Sequence, residues 1–455
     1  MVYFVSEALR GCMLHEGVVV SDADQAAAGL GLRSTVPFAK GMPVYREQPQ
    51  IFLQSRFSAK FAPACLNCGM LVGGSLREVV ERVLNSCAET RVRTRFPSST
   101  QDYPKSLSGY PHLQRSGLFD DSPLTLPCGI SCPEGCGAVF CSDECKTKQL
   151  TLGHHRVLCR DLPAAKRPVW DEFRRHAQMH SETFILAAFI IAQAMCEFLY
   201  QGRSADEVGA SYVQFHSHPW PEMLRGDTAD RCAWVRKRWA VVEASHALLV
   251  SMLGDSVPPE LEELTSLNGY ALLVGMIDLV SKDLEREHPF DASLKVAFDA
   301  LPARAQTELR KVSLLWITAK ADMQEEEADE ATSPSDSEEE ASSEKEPESP
   351  TTTSKRVAAM PVLPGFDGFG LSKSVAVTNH SCDPNIDVEV GKDPMELLAL
   401  ALRDIAAGEE LLMSYVDDDM PRAARQRALQ RSYGFCCRCQ RCEEEAGCLQ
   451  ADCVA

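Results

Sequence analysis

The chain has 455 residues, of which 45% are hydrophobic and 24% are charged, and its formal net charge is −19. This length is sufficient for two to four domains, and the acidic balance excludes the basic face expected of a nucleic-acid-binding protein. The charge is uneven, because residues 322–349 hold 13 acids and one lysine, and the moderately acidic remainder would attract basic protein segments.

The N-terminal region is predicted to consist of strands and turns. Residues 1–7 lack a basic segment and a long apolar core, so we expect no signal peptide. Val18–Val20 is predicted to be a short strand and Gly29–Gly31 a tight turn, and Gly41 and Pro43 punctuate the next strand pair.

Residues 60–160 are rich in cysteine and are predicted to be loop-like. The whole chain contains 19 cysteines, a large number for a chain of this size. We therefore expect a cytoplasmic or nuclear protein, in which clustered cysteines indicate zinc rather than disulfides.

Residues 165–320 are predicted to be helical. Apolar residues recur there at steps of three and four, in the windows 181–200, 238–253, 259–285 and 294–320. The longest apolar run, residues 184–199, is interrupted by Gln193 and Glu197 and is too short to span a bilayer. The sequence therefore predicts no association with a membrane.

The C-terminal third begins with a Glu/Ser/Pro tract, residues 322–356, which lacks core-forming residues and is predicted to be disordered. Residues 361–417 return to β-rich sequence. Within them, Leu397–Leu402 is predicted to be a buried strand and Ala407–Glu409 the turn after it. Residues 420–431 are predicted to form a short basic helix.

One segment of this region is unusually polar. Residues 379–385 read Asn-His-Ser-Cys-Asp-Pro-Asn, and Ser414-Tyr415 follow 30 residues later. Asparagine and histidine offer donors and acceptors to a polar ligand. Cys382 offers a metal ligand, and the last three residues favour a turn.

Together with the segment Tyr433-Gly-Phe-Cys-Cys-Arg-Cys-Gln-Arg-Cys442, this motif resembles the SET domain of protein-lysine methyltransferases with its post-SET tail. The order of the elements over residues 15–445 is similar to the SET-and-MYND (SMYD) family, in the branch with a long spacer inside the finger. The resemblance implies an α+β protein: a β-rich SET fold with a pseudoknot, split by a MYND-like zinc finger and a helical insert, with a zinc-binding post-SET tail. Its implied domains are 15–60, the N-terminal part of the SET domain; 61–160, the MYND-like finger with a long insertion; 161–320, the helical insert; 321–358, an acidic disordered linker; 359–418, the core SET domain; and 419–446, the post-SET zinc tail.

The finger has a spacing typical of zinc ligands, since closely spaced Cys pairs present two thiolates from one turn. By analogy with MYND fingers, the pairs interleave and form two structural zinc sites. One site would comprise Cys65, Cys68, Cys141 and Cys145, and the other Cys132, Cys136, His155 and Cys159. Cys128 remains an alternative to Cys132, and His154 remains an alternative to His155.

The same resemblance implies the residues that bind S-adenosylmethionine (SAM) and the lysine. The implied cofactor residues are Gly29, Leu30, Gly31, Asn379, His380, Tyr415 and Phe435. Tyr415 would also lie beside the lysine nitrogen and the transferring methyl, and Tyr433 would line the lysine channel. A third zinc would bind Cys382, Cys437, Cys439 and Cys442, with Cys436 as an alternative ligand.

The resemblance implies a SAM-dependent protein-lysine N-methyltransferase with about three structural Zn²⁺ ions. Its substrate would be a histone, a ribosomal protein or another basic protein. A Pro-rich peptide is a candidate partner of the finger, direct nucleic-acid binding is not expected, and the protein is expected to be a monomer. The alternative is a catalytically weak zinc-finger scaffold built on a SET fold.

Overall fold

The computed structural model describes residues 10–24, 29–93, 104–120, 123–212, 217–223, 231–331, 362–391 and 394–451. The strands are β1 Met13–His15, β2 Val18–Asp22, β3 Leu30–Ser34, β4 Pro43–Glu47, β5 Ile51–Gln54, β6 Ile130–Ser131, β7 Val139–Phe140, β8 Lys282–Asp283, β9 Gly368–Leu371, β10 Asn379–His380, β11 Ile386–Val390, β12 Leu397–Ala401 and β13 Glu410–Met413. The helices are α1 Arg56–Phe61, α2 Leu76–Arg93, α3 Pro111–Gln114, α4 Asp143–Leu152, α5 Arg167–His180, α6 Thr183–Gln201, α7 Ala205–Tyr212, α8 Arg231–Leu253, α9 Glu262–Thr265, α10 Leu267–Val280, α11 Asp291–Ala300, α12 Ala303–Ala331, α13 Lys373–Val377, α14 Arg422–Tyr433 and α15 Gln440–Ala451.

The chain divides into two compact units, each built from separate stretches of sequence. The first unit comprises Met1–Leu53, Leu150–Asp283 and Phe369–Ala455. The second unit comprises Gln54–Gln149 and Leu284–Gly368. Helices and strands are both prominent, which confirms the predicted α+β class.

A five-stranded sheet in the first unit has the order β1-β2-β3-β13-β10. Neighbouring strands are antiparallel except β10 and β13, which run parallel. In this order β13 lies between β3, which contains Leu30 and Gly31, and β10, which contains Asn379 and His380. The sheet therefore joins sequence motifs more than 340 residues apart, as in the pairing of Asn379 with the Leu30 carbonyl.

The predicted tight turn at residues 29–31 is wrong for two of its three residues. Gly29 has a positive φ of 74° and turns the chain, but Leu30 and Gly31 already belong to β3. They pair antiparallel with Asp22 and Ser21 of β2. The two glycines therefore have different tasks, the first in backbone conformation and the second inside the sheet.

A second sheet in the first unit, β11-β12-β4, confirms the predicted strand after residue 396. In β12, Leu397, Ala399 and Ala401 are buried while the residues between them are partly exposed, so one face packs on the core. Gly408 has a positive φ of 86° in the predicted turn. The short basic helix is also confirmed, as α14.

Within the described residues, helices α5 to α12 confirm the predicted helical region 165–320, except that Lys282–Asp283 form strand β8. The most apolar of them, α6, corrects the prediction that this apolar run is too short to span a bilayer, because its 19 residues have the length and composition that a membrane span requires. Its most apolar window is nevertheless 78% buried inside the protein. The packing of α6 with α7 and α10 accounts for its apolar sequence.

The second unit corrects the prediction that residues 60–160 are loop-like. The spacer between the first and second Cys pairs contains α2, an 18-residue helix. Its buried residues Val80, Val83 and Leu84 join one hydrophobic core with Leu309 and Val312 of α12. The long insertion therefore contributes a helix to the hydrophobic core of the second unit.

The prediction of disorder for residues 322–356 is wrong in its first part. Helix α12 continues through this tract to Ala331, so residues 322–331 are helical. The remainder of the predicted tract, 332–356, lies outside the described residues.

Asp291 gives the second unit a pH-dependent contribution to stability. Its side chain is 3% exposed, and Oδ1 accepts the Leu363 N–H at 2.9 Å. Burial raises the pKa of Asp291 to about 7. Between roughly pH 4 and pH 7 the unfolded chain binds fewer protons at this carboxyl than the folded chain, so the contribution falls as pH rises.

We expect Asp291→Asn, which keeps the acceptor for Leu363, to gain stability relative to the wild type as pH increases. The difference in unfolding free energy should grow by on the order of 1 kcal/mol between roughly pH 5.5 and pH 8. Urea unfolding at the two pH values measures it. Asp299→Asn, on the exposed side of the same helix, is the matched control, and an equal pH response of both variants would contradict the prediction.

Candidate active site

The parallel pairing of β10 with β13 brings the two halves of the candidate site together. Asn379 lies opposite Leu412 and His380 opposite Met413. Just beyond β13, the Tyr415 N–H donates to Nδ1 of His380 at 3.0 Å. Because two adjacent strands set this contact, it depends on register rather than on side-chain flexibility.

Tyr415 is the centre of an aromatic cluster formed by His380, Tyr415, Tyr433 and Phe435. The ring centroid of Tyr415 lies 4.8 Å from that of Tyr433, 5.2 Å from His380 and 6.5 Å from Phe435. Its hydroxyl donates to the Thr378 carbonyl at 2.6 Å. Burial, followed by the neighbouring Tyr433, raises the pKa of Tyr415 well above its usual range. The phenol is therefore a neutral, oriented hydroxyl.

His380 has both ring nitrogens engaged by the protein. Nδ1 accepts from Tyr415, and Nε2 lies 3.3 Å from Sγ of Cys382. Burial lowers the pKa of His380 to about 4, and the Arg425 charge adds to this. Contact of this residue with a cofactor would therefore fall to its backbone rather than to its imidazole.

The Asn379 amide forms the other half of the site. Nδ2 donates to the Leu30 carbonyl at 3.1 Å and to Oε1 of Glu410 at 2.9 Å. The second oxygen of Glu410 accepts the Asp24 N–H at 2.7 Å. The Leu30 side chain is buried, so this residue presents backbone rather than side chain to the site.

Gly31 is required by the close approach of these groups. A Cβ at this position would lie 2.5 Å from Oε1 of Glu410 and 2.7 Å from Nδ2 of Asn379. Gly29, two residues earlier, has its carbonyl bonded to the Ala23 N–H at 2.9 Å. The structure thus bonds Asn379 to the Leu30 carbonyl and packs both against Gly31.

Sequence reasoning missed two residues of this group. Glu410 is 4% exposed although it carries a carboxylate. Asn385 is 1% exposed, and besides ending the bend it donates to the Glu410 carbonyl at 2.7 Å and accepts the Leu412 N–H at 2.7 Å. The sequence did offer a signal for Glu410, because it is an acidic residue at the start of a buried strand. A carboxylate is buried only when it has hydrogen-bond partners.

Two cysteine clusters have the chemistry of zinc sites. In each, the four sulfur atoms lie within 4.8 Å of one another: Cys65, Cys68, Cys141 and Cys145 in the second unit, and Cys382, Cys437, Cys439 and Cys442 in the first. The distance between the sulfur atoms is 3.6 Å for Cys141 and Cys145 and 3.5 Å for Cys442 and Cys382. Tetrahedral Zn–S bonds of about 2.3 Å place sulfurs about 3.8 Å apart, so both clusters fit zinc.

The second of these, the tail cluster (Cys382, Cys437, Cys439 and Cys442), is buried at all four positions. Burial raises the pKa of Cys382 to about 11, and a bound cation would displace that proton. Cys436 is exposed, and its sulfur contacts Gln430 at 3.2 Å. The structure thus gathers Cys382 with the tail and leaves Cys436 outside.

The four predicted ligands of the other finger zinc are divided between the units. Cys132 and Cys136 belong to the second unit, and His155 and Cys159 to the first, so their joint site stays a prediction. Cys132 is buried while Cys128 is exposed. The His154 ring stacks on Phe189, with centroids 4.2 Å apart.

Comparison with known proteins places part of the candidate site inside a matched domain. The family model described as "SET domain" matches residues 290–416. The Arabidopsis thaliana protein named Histone-lysine N-methyltransferase ATXR2 is 26% identical over 347 residues, which is 70% of this chain and 64% of that protein. Human Histone-lysine N-methyltransferase SMYD3 is 44% identical over 78 residues, 17% of this chain and 18% of that protein. SET domain and MYND-type zinc finger protein 6 of Schizosaccharomyces pombe is 36% identical over 86 residues, 18% and 17% respectively. The chain thus spans less than two thirds of these relatives.

Proposed function

We propose that the chain is a SET-and-MYND-type SAM-dependent protein-lysine N-methyltransferase, because residues 290–416 match the SET domain model and its relatives include proteins of that type. The observation that carries the proposal is the position of Tyr415. Its hydroxyl is fixed on the Thr378 carbonyl, and its backbone is fixed on the residue next to Asn379. Together the two bonds fix the orientation of the phenol beside Asn379 and His380, as a group that orients a reacting amine requires.

SAM supplies a methyl carbon already activated by a sulfonium. We assign its binding to Gly29, Leu30, Gly31, Asn379, His380, Tyr415 and Phe435. Gly31 allows the backbone to approach closely, and Asn379 presents a fixed amide between β3 and β13. Phe435 is the most exposed ring of the aromatic cluster, at 36%, and offers a face to the adenine.

The remaining task of the protein is to present a neutral lysine amine in line with the methyl. A lysine with an ordinary pKa of about 10.4 loses its proton more readily when it is buried next to a cation. Tyr415 and Tyr433 supply an aromatic wall for the lysine stem and exclude water. The Tyr415 hydroxyl oxygen, which already donates its proton to Thr378, keeps lone pairs that accept an amine N–H and orient the attacking pair.

We assign three structural Zn²⁺ ions to the cysteine-rich sites. Their ligands are Cys65, Cys68, Cys141 and Cys145; Cys132, Cys136, His155 and Cys159; and Cys382, Cys437, Cys439 and Cys442. Each set consists of four protein ligands, which leaves no open position for catalysis.

The substrate is a lysine-containing protein. The net charge of −19 favours a basic substrate such as a histone or a ribosomal protein, in the nucleus or cytoplasm. We also propose a monomer whose finger binds a Pro-rich peptide, and no direct contact with nucleic acid.

The test of the proposed function is methyl transfer by the zinc-loaded protein. Calorimetry should detect SAM binding, and labelled SAM should transfer its methyl to lysines of basic proteins in a lysate. A scaffold with a SET fold would bind no SAM at saturating concentrations. SAM binding without transfer to any protein lysine would contradict the enzymatic proposal.

A further inference from the structure

His380 occupies the point where the tail cluster and the aromatic cluster meet. The Tyr415 N–H donates to Nδ1 at 3.0 Å, so this nitrogen carries a lone pair. The ring proton therefore lies on Nε2, which is 3.3 Å from Sγ of Cys382. The imidazole is thus a bridge with one donor and one acceptor, and both are in use.

Other side chains besides His380 donate hydrogen bonds to the sulfur atoms of the tail cluster. Sγ of Cys442 receives Nε2 of Gln426 at 3.3 Å and lies 3.8 Å from Nη2 of Arg425. The Arg425 side chain is 1% exposed and is paired with Glu445 at 2.7 Å. Four thiolates on one Zn²⁺ carry a net negative charge, which buried donors of this kind stabilise.

The other end of the bridge holds the backbone of Tyr415. Without the Nδ1 acceptor, the Tyr415 N–H would lose its partner in a partly buried site, at a cost that favours a shift of the backbone. A shift of that backbone would move the hydroxyl away from Thr378, to which it now donates at 2.6 Å.

We propose that His380 is a positioning residue that couples the tail zinc to Tyr415, with Nε2–H holding the Cys382 thiolate and Nδ1 holding the Tyr415 backbone. The inference rests on the proposed function for its catalytic consequence, but not for the coupling itself. The tail cluster and the Tyr415 backbone are then held by one imidazole, each through a different ring nitrogen.

Two substitutions separate the ends of the bridge. In His380→Asn, the amide oxygen stands near the position of Nδ1 and keeps the acceptor for Tyr415, but the side chain is too short to reach Cys382. In His380→Gln, the amide nitrogen stands near the position of Nε2 and keeps the donor for Cys382, but the Tyr415 acceptor is lost. His112→Gln, at an exposed histidine of the second unit, is the control.

The zinc affinity of the tail cluster tests the contact between Nε2 of His380 and Cys382. We expect competition with a chromophoric chelator to show tail-site affinity about tenfold weaker in His380→Asn and near wild type in His380→Gln. Cys382→Ser identifies which released zinc belongs to the tail. Equal zinc affinity in wild type and both variants would overturn the assignment of Nε2–H.

The backbone amide NMR signal of Tyr415 tests the contact between its N–H and Nδ1 of His380, and this measurement requires no methyl transfer. In protein labelled with ¹⁵N-tyrosine, this signal is identified by its loss in Tyr415→Phe. With zinc loaded, we expect it to shift in His380→Gln and to stay close to wild type in His380→Asn and His112→Gln. An unshifted signal in His380→Gln would overturn the coupling, even if the protein proves to be an active methyltransferase.

Discussion

Replacement of Tyr415 by phenylalanine should lower the rate of methyl transfer by roughly 10²–10³-fold, the range typical of removing one preorganised polar group from an active site. The substitution keeps the ring that packs on Tyr433 and His380 and removes only the hydroxyl that donates to Thr378. SAM affinity should therefore change little. Single-turnover transfer from labelled SAM measures the rate, and calorimetry measures the affinity.

Tyr200→Phe is the matched control for this variant. The Tyr200 hydroxyl lies on the surface, 3.3 Å from Asp161, and its loss should leave the rate within about twofold of wild type. A Tyr415→Phe rate within a few-fold of wild type would remove Tyr415 from its catalytic role. A parallel loss of SAM binding would instead indicate that the hydroxyl maintains the site's structure.

Introduction of a single methyl group at Gly31 should disable the cofactor half of the site. In Gly31→Ala, the new Cβ would lie 2.5 Å from the Glu410 carboxylate and 2.7 Å from the Asn379 amide, so at least one of these side chains must move, which strains or breaks the hydrogen bond between them. Glu410 is a buried carboxylate, and loss of a partner to such a group costs about 1–3 kcal/mol or more. We expect SAM affinity to fall at least about tenfold, together with a lower melting temperature.

The control for Gly31 is Gly254→Ala in the same unit. The nearest atom to a Cβ there is a Val250 methyl at 3.3 Å, which a small side-chain adjustment can accommodate. Thermal unfolding with and without SAM compares the two variants. Wild-type SAM affinity in Gly31→Ala would contradict the close packing of Gly31, Glu410 and Asn379.

The site was predictable where its chemistry lies in short motifs. The Asn-His-Ser-Cys segment and the tail cysteines indicate a cofactor site and a metal site by residue type and spacing. Glu410 and Asn385 were not predictable, because their partners are set by the parallel register of β10 and β13 across about 30 residues of chain. Single-sequence patterns report local periodicity and carry no information about such register.

Two elements were mispredicted for different physical reasons. In α2 the buried residues Val79, Val80, Val83 and Leu84 have helical spacing, so the sequence did contain a helix signal. The prediction of a loop followed instead from the many cysteines of the surrounding region. The sequence of the acidic end of α12 has no helical period of apolar residues, but helix extension from an already packed segment is much easier than nucleation. The buried residues Leu309 and Val312 supply that packed segment.

The most direct test of the central claim is to map the acceptor atom. The zinc-loaded protein would be incubated with a deuterated-methyl SAM and candidate basic proteins, and the products would be fragmented by mass spectrometry. We predict the label on lysine side-chain nitrogens, in amounts equal to the S-adenosylhomocysteine released, with strong loss of both in Tyr415→Phe. Label on another residue type, or S-adenosylhomocysteine formation that Tyr415→Phe leaves unchanged, would contradict a lysine methyltransferase built around Tyr415.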